Sequence, residues 1–119
     1  MEDERRSYPR VKVNREGQFQ IGGLSNSIPC VVEDISMSGM RLSLRKNLFP
    51  EVFSSFNLAL NDGLAFDAAA HVAWHDESLA GNTYGLSFNR INEPDSDRIS
   101  QYIKDNSFKD LRDQWWKGL

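Results

Sequence analysis

From Val11 to about Gly85, apolar and polar residues alternate with a period of two. That spacing sends successive side chains to opposite faces of an extended chain, so it constrains most of the molecule to strands with one buried face. The clearest run sets Leu64, Phe66, Ala68, Ala70, Val72 and Trp74 against Ala65, Asp67, Ala69, His71, Ala73 and His75. Shorter runs hold Ile28, Cys30 and Val32, then Met40, Leu42 and Leu44, then Phe56, Leu58 and Leu60, and finally Tyr84, Leu86 and Phe88. The breaks carry turn chemistry: Gly22-Gly23, Asn61-Asp62-Gly63 and Gly81-Asn82. Short strands at this spacing predict an antiparallel barrel or sandwich. A chain of 119 residues supplies one hydrophobic core for it.

After Phe88 the period changes. Pro94 followed by Asp95, Ser96 and Asp97 predicts a helix start, with acidic residues near the positive end of the helix dipole. Ile99, Tyr102 and Ile103 follow at helical spacing. Ser107 is expected to cap a second helical stretch whose stripe is Phe108, Leu111 and Trp115. The expected fold class is therefore all-β with a C-terminal helix, divided into an N-terminal arm over residues 1–10, a barrel over 11–92 and a helical segment over 93–119. Trp115 and Trp116 are adjacent and point about 100° apart on a helix, so one is expected to pack on the barrel and the other to meet a partner.

Charge is unevenly placed. Residues 5–15 hold five cations and no anion, while the rest of the chain carries nine cations against 17 anions. Such an acidic body argues against a general DNA coater, which needs a broad basic surface. The cationic arm is expected to be poorly ordered until a ligand relieves its self-repulsion. Cys30 is the single cysteine, which excludes an intramolecular disulfide or a cysteine-based zinc cluster and suits a reducing compartment. The charged start MEDERR is unlike a secretory signal, and no run approaches the ~20 apolar residues of a membrane span. A cytoplasmic protein is expected.

Two short motifs carry the chemistry. In the first, Arg5-Arg6-Ser7-Tyr8-Pro9-Arg10, Pro9 keeps Tyr8 out of helical angles, so Arg6 and Arg10 belong to an extended or turning arm. A guanidinium fork grips a phosphate, or the O6 and N7 edge of a guanine, through two parallel hydrogen bonds. The second, Asp34-Ile35-Ser36-Met37-Ser38-Gly39, lies between two strands. Asp and Ser serve turns by bonding nearby backbone, and Gly supplies the positive φ that a tight connection needs. The same loop can also aim a carboxylate and a hydroxyl at a purine, the carboxylate accepting from the N–H edge of a guanine while Gly39 lets the backbone approach closely.

These motifs resemble those of the PilZ domain family, bacterial receptors for the second messenger cyclic di-GMP. The family's R-x-x-x-R segment matches Arg6 and Arg10, and its [D/N]-x-S-x-x-G segment matches Asp34, Ser36 and Gly39. Val72-Ala73-Trp74 and, after a loop, Tyr84-Gly85-Leu86-Ser87-Phe88 look like the family's closing strands, so the resemblance spans roughly residues 5 to 105. It implies a six-stranded antiparallel β-barrel with a C-terminal helix, and cyclic di-GMP clasped between the arm and the Asp34 to Gly39 loop. Relatives with an extra arginine before the first motif, as Arg5 is here, tend to hold a stacked, intercalated pair of ligand molecules. Trp74 matches a position where some relatives place a side chain against a guanine, although its alternation also suits a barrel plug beside Val72 and Phe66. An unidentified downstream protein would read the ligand-bound surface.

Other classes fit less well. His71 and His75 have the H-x-x-x-H spacing of helical metal sites, yet on a strand four residues span about 13 Å, and both are expected on the outer face. No nucleophile elbow or phosphate loop occurs, so an enzyme, a metal site and a cofactor are not expected. The remaining rivals are a PilZ-like protein-interaction adaptor without nucleotide and an OB-type barrel for single-stranded nucleic acid.

Overall fold

In a computed structural model, residues 9–22 and 25–117 are described, with side chains to residue 107. Six strands form: β1 (Val11–Ile21), β2 (Ser27–Ile35), β3 (Gly39–Leu44), β4 (Phe56–Leu60), β5 (Ala65–Ser78) and β6 (Gly81–Arg90). They close into a barrel in the order β1-β2-β3-β6-β5-β4, with every neighbouring pair antiparallel. Between the barrel and sandwich expectations, the barrel holds. Closure removes exposed sheet edges, and the inward positions of all six strands share one interior.

That interior is aromatic at its centre. Phe19 packs on Phe53 and Phe56 with ring centroids 5.2 and 5.1 Å apart, and Phe53 packs on Tyr84 at 5.1 Å. Phe53 arrives from a 3-10 turn, Pro50–Ser54, that the strand alternation does not announce. The turn delivers the fully buried Phe53 to a space that no strand residue fills. Tyr84 is buried as well, and its hydroxyl accepts from the Leu48 N–H at 2.7 Å and donates to the Asn47 side chain. Burying the aromatic body thus costs no unmet polar group.

Register shifts break the regular pairing at four places, including Val32 to Asp34 beside the β2–β3 turn. In β1 the pairing shifts between Lys12 and Arg15, with Asn14 at φ 46°, a left-handed conformation that asparagine tolerates. In β5 the pairing runs Val72 to Leu86, Trp74 to Gly85 and His75 to Tyr84, so Ala73 is the extra residue. Trp74 therefore leaves the face of Val72 and Phe66, and His75 moves to the face opposite His71.

The helix, α1 (Glu93–Lys117), is one continuous element. The expected break at Ser107 does not occur, and the side chains of Phe108, Leu111, Trp115 and Trp116 lie outside the described residues. Its cap is Asn92, whose Oδ1 accepts the Asp95 N–H at 2.9 Å while its Nδ2 donates to Asp95 Oδ2 at 2.9 Å. Asp95 is buried, and the same Oδ2 accepts the backbone N–H of Asp67, so the cap also docks the helix on β5. Ile99 and Ile103 bury the helix's apolar side, and Tyr102 donates its hydroxyl to Asp62 at 2.7 Å. Among the described residues no helix is long and apolar enough to cross a membrane.

Cys30 sits on β2 inside the wall, where burial pushes its thiol up to about 12. At pH 8 the reactive thiolate is then about one part in ten thousand, against roughly a quarter for a free cysteine. Labelling with a thiol reagent is expected to be slow in buffer and fast in denaturant. Equal rates in the two conditions would contradict this burial.

Candidate functional site

The hairpin that joins β2 to β3 is built by its own side chains. The Ser36 N–H donates to the Gly39 carbonyl at 2.8 Å, and the Ser38 N–H donates to Ser36 Oγ at 3.1 Å. Ser36 is 1% exposed and its hydroxyl is spent within the turn, so it shapes the loop from within and is not aimed outward at a purine as expected. Gly39 lies against β6, where a Cβ would stand 2.1 Å from the Leu86 carbonyl oxygen. Positive φ among the described residues is confined to Asn14, Gly63 and Gly81. The expected positive φ at Gly39 is therefore not found, and what requires glycine there is the close approach of β3 to β6.

This tight turn fixes the register of the strands it joins: Ile35 pairs with Met40, and Asp34 with Arg41. Across the next ladder Arg41 faces Gly85, and Gly85 faces Trp74. On its other side Asp34 faces Lys12 of β1. One transverse row on the outside of the barrel thus reads Lys12, Asp34, Arg41, Gly85, Trp74. From Asp34 to Trp74 it crosses three strand spacings, about 14 Å.

Arg10, just before β1, reaches this row. Its Nη1 donates to Asp34 Oδ1 at 2.6 Å, joining segments 24 residues apart in sequence. The Arg41 Nε lies 3.2 Å from Asp34 Oδ2 and 3.0 Å from Glu33 Oε1. Glu33 in turn accepts the Ser43 hydroxyl. Asp34 is buried between the two arginines, whose side chains are both partly exposed.

Trp74 is 46% exposed, which overturns the barrel-plug alternative. Its indole lies directly on the Gly85 backbone, where a Cβ would come within 2.1 Å of Nε1. His75, in contrast, stacks on Tyr84 with centroids 4.3 Å apart and rings 3° from parallel. Asn82 Nδ2 donates to the Arg45 carbonyl, leaving Asn82 Oδ1 to accept from His75 Nε2 at 2.8 Å. Both histidines are exposed as expected, but only His71 lies on the outer face, since His75 turns to the opposite face against Tyr84. Among the described residues no group of three or more His, Cys, Asp or Glu is placed to hold a metal ion.

The structure brings Arg10 and Asp34 together, sets the Ser36 to Gly39 turn beside them, and puts Trp74 three strands away on the same outer row. Arg5 and Arg6 lie outside the described residues. Arg41 escaped the motif reading because it fits the alternation as an ordinary outward polar residue. The signal was in the turn: a hairpin closed over residues 36 to 39 makes 41 the partner of 34. Together these groups can accept paired N–H donors on a carboxylate, grip an oxyanion with guanidinium forks, and stack a planar ring on an indole.

Comparison with solved structures finds this fold elsewhere. Escherichia coli YcgR in complex with c-di-GMP matches with a TM-score of 0.69 at 17% identity, over 97% of this chain and 51% of that one. The Bacillus subtilis inhibitor of motility MotI/DgrA matches with a TM-score of 0.63 at 17% identity, over 87% of this chain and 51% of that one. The PilZ domain of Escherichia coli YcgR with c-di-GMP matches at 0.60 and 17% identity, over 95% and 98%. The chain spans about half the length of the first two and nearly all of the third. Comparison with curated protein sequences returns no match. The family model of the PilZ domain matches residues 4–105, which take in the whole barrel and the first half of α1, and the chain belongs to the PilZ domain family.

Proposed function

We propose that this protein is a receptor for cyclic di-GMP that signals through a changed surface to a partner protein. The observation that carries the reading is the meeting of Arg10 with Asp34 beside the Ser36 to Gly39 turn, which joins the last arginine of the first motif to the second motif. Two structural neighbours of this fold are complexes with c-di-GMP, which supports the ligand class. In this reading Arg5, Arg6 and Arg10 hold phosphate and guanine edges, and Asp34 accepts a guanine's N–H groups. Ser36 and Gly39 keep the loop in shape, and Trp74 stacks a guanine. A stacked pair of ligand molecules would span more of the outer row than one molecule and would engage Arg5.

The mechanism is electrostatic. Five cations in eleven residues repel one another, and the ligand's two phosphates remove that repulsion as they draw the arm over the barrel. Charge-assisted hydrogen bonds contribute about 1.5–3 kcal/mol each, so several together outweigh the ordering of the arm. The reading describes a receptor without catalysis, acting in the cytoplasm on an unidentified partner.

Titration calorimetry with cyclic di-GMP, GMP and a short oligonucleotide tests it. Binding is expected for cyclic di-GMP alone, and Arg6→Ala and Arg10→Ala are each expected to weaken it by roughly 10- to 100-fold. No response to cyclic di-GMP would move the chain to the adaptor reading, and a response to the oligonucleotide alone to the OB-type reading.

A further inference from the structure

Among the described residues, Asp34 is the carboxylate that two arginines share, and the two are not equivalent. Arg10 precedes β1, is about half exposed, and belongs to the segment assigned above to ligand phosphate. Arg41 lies inside β3, paired to β2 on one side and β6 on the other. Glu33 holds it from the far side at 3.0 Å, and Glu33 is itself held by Ser43. The Arg41 Nε is shielded from solvent and meets neither carboxylate with hydrogen-bond geometry, so an N–H stands free to tighten on Asp34.

When Arg10 turns to a phosphate, Asp34 stays behind in a wall where its side chain is 7% exposed. A buried carboxylate stripped of its partner is strongly unfavourable, so a site that releases Arg10 needs a second cation that does not leave. We propose that Arg41 is that positioning residue: the standing counter-ion of Asp34, which keeps the carboxylate paired and aimed while Arg10 exchanges between Asp34 and the ligand. The inference rests on the cyclic di-GMP reading. It makes Arg10 the moving member of the pair and gives Arg41 an effect on affinity without contact to ligand.

A double-mutant cycle tests this, with cyclic di-GMP titrated into the parent chain, Arg41→Ala, Arg41→Lys, Asp34→Asn and the Asp34→Asn/Arg41→Ala pair. Arg41→Ala is expected to weaken binding about 30-fold, or about 2 kcal/mol. Arg41→Lys should recover most of that, because a point charge still serves as counter-ion. With Asn at position 34, Arg41→Ala should cost less than about threefold, since no charge remains to be paired. An equal loss in both backgrounds would show that Arg41 acts on the ligand or on the fold directly, and would overturn the proposal. Parent-like affinity in Arg41→Ala would overturn it too. If the alanine variant fails to fold, Arg41→Gln keeps the stem and carries the same expectations. A parent chain that does not bind at all defeats the receptor reading itself, whereas binding that is sensitive to Arg10 and indifferent to Arg41 defeats only this inference.

Discussion

Gly39→Ala is expected to cost about 3 kcal/mol of folding stability and to lower the melting temperature by about 10 °C. The new Cβ would stand 2.1 Å from the Leu86 carbonyl oxygen, and the obstacle is backbone rather than the end of a pliable side chain. Relief requires β3 and β6 to part at the point where Gly39 pairs with Ser87 and where the Phe88 N–H donates to the Ser38 carbonyl at 2.9 Å. Gly63→Ala is the control. Gly63 has φ 108° with nothing within 4 Å of its Cβ direction, so alanine there meets backbone strain of about 1–2 kcal/mol and no collision. Urea unfolding of both variants separates the effects. A Gly39→Ala midpoint within error of the parent would mean that the hairpin shifts freely, and the close-approach account would be wrong. Because the hairpin carries Asp34 and Ser36, a shifted loop should also weaken cyclic di-GMP binding beyond the loss of folded protein.

The barrel was legible because its signal is additive: five alternating runs with turn residues between them leave little choice of class. What stayed hidden depends on a single residue's offset or on a contact distant in sequence. The alternation through Val72, Ala73 and Trp74 continues unbroken in the sequence, yet one extra residue at Ala73 flips the indole outward onto Gly85 and swings His75 onto Tyr84. A bulge of this kind is set by the partner strand, which local pattern does not see. The 3-10 turn that delivers Phe53 was invisible for a similar reason, since it answers to a void among Phe19, Phe56 and Tyr84. At the helix start the acidic run located the element, but Asn92, one residue before Glu93, makes the cap through its exchange with Asp95. Within the site, motif spacing singled out Arg10, Asp34 and Gly39 because each belongs to a dense local pattern. Arg41 has no such pattern around it, and only the hairpin register connects it to Asp34.

Asp34→Ala is expected to weaken cyclic di-GMP binding by at least about 100-fold while changing stability by only about 1 kcal/mol, and the contrast follows from where the charges sit. Removing the carboxylate leaves Arg10 and Arg41 without a shared partner, but Arg10 is half exposed and Arg41 keeps Glu33 at 3.0 Å, so neither becomes a buried unpaired charge. The fold therefore tolerates the loss. Binding does not, because alanine removes the acceptor for a guanine's N–H groups and the anion that separates Lys12, Arg10 and Arg41. Asp34→Asn distinguishes these contributions: it keeps the shape and one acceptor oxygen but presents an N–H donor where the second acceptor stood. An intermediate loss of about 10-fold is expected for it. Calorimetric titration of the two variants, with thermal unfolding run alongside, checks the set. Equal affinity for parent and Asp34→Ala would remove Asp34 from the site. A large drop in melting temperature with affinity per folded molecule unchanged would make its pairing with Arg10 and Arg41 a fastening of the barrel rather than a recognition element.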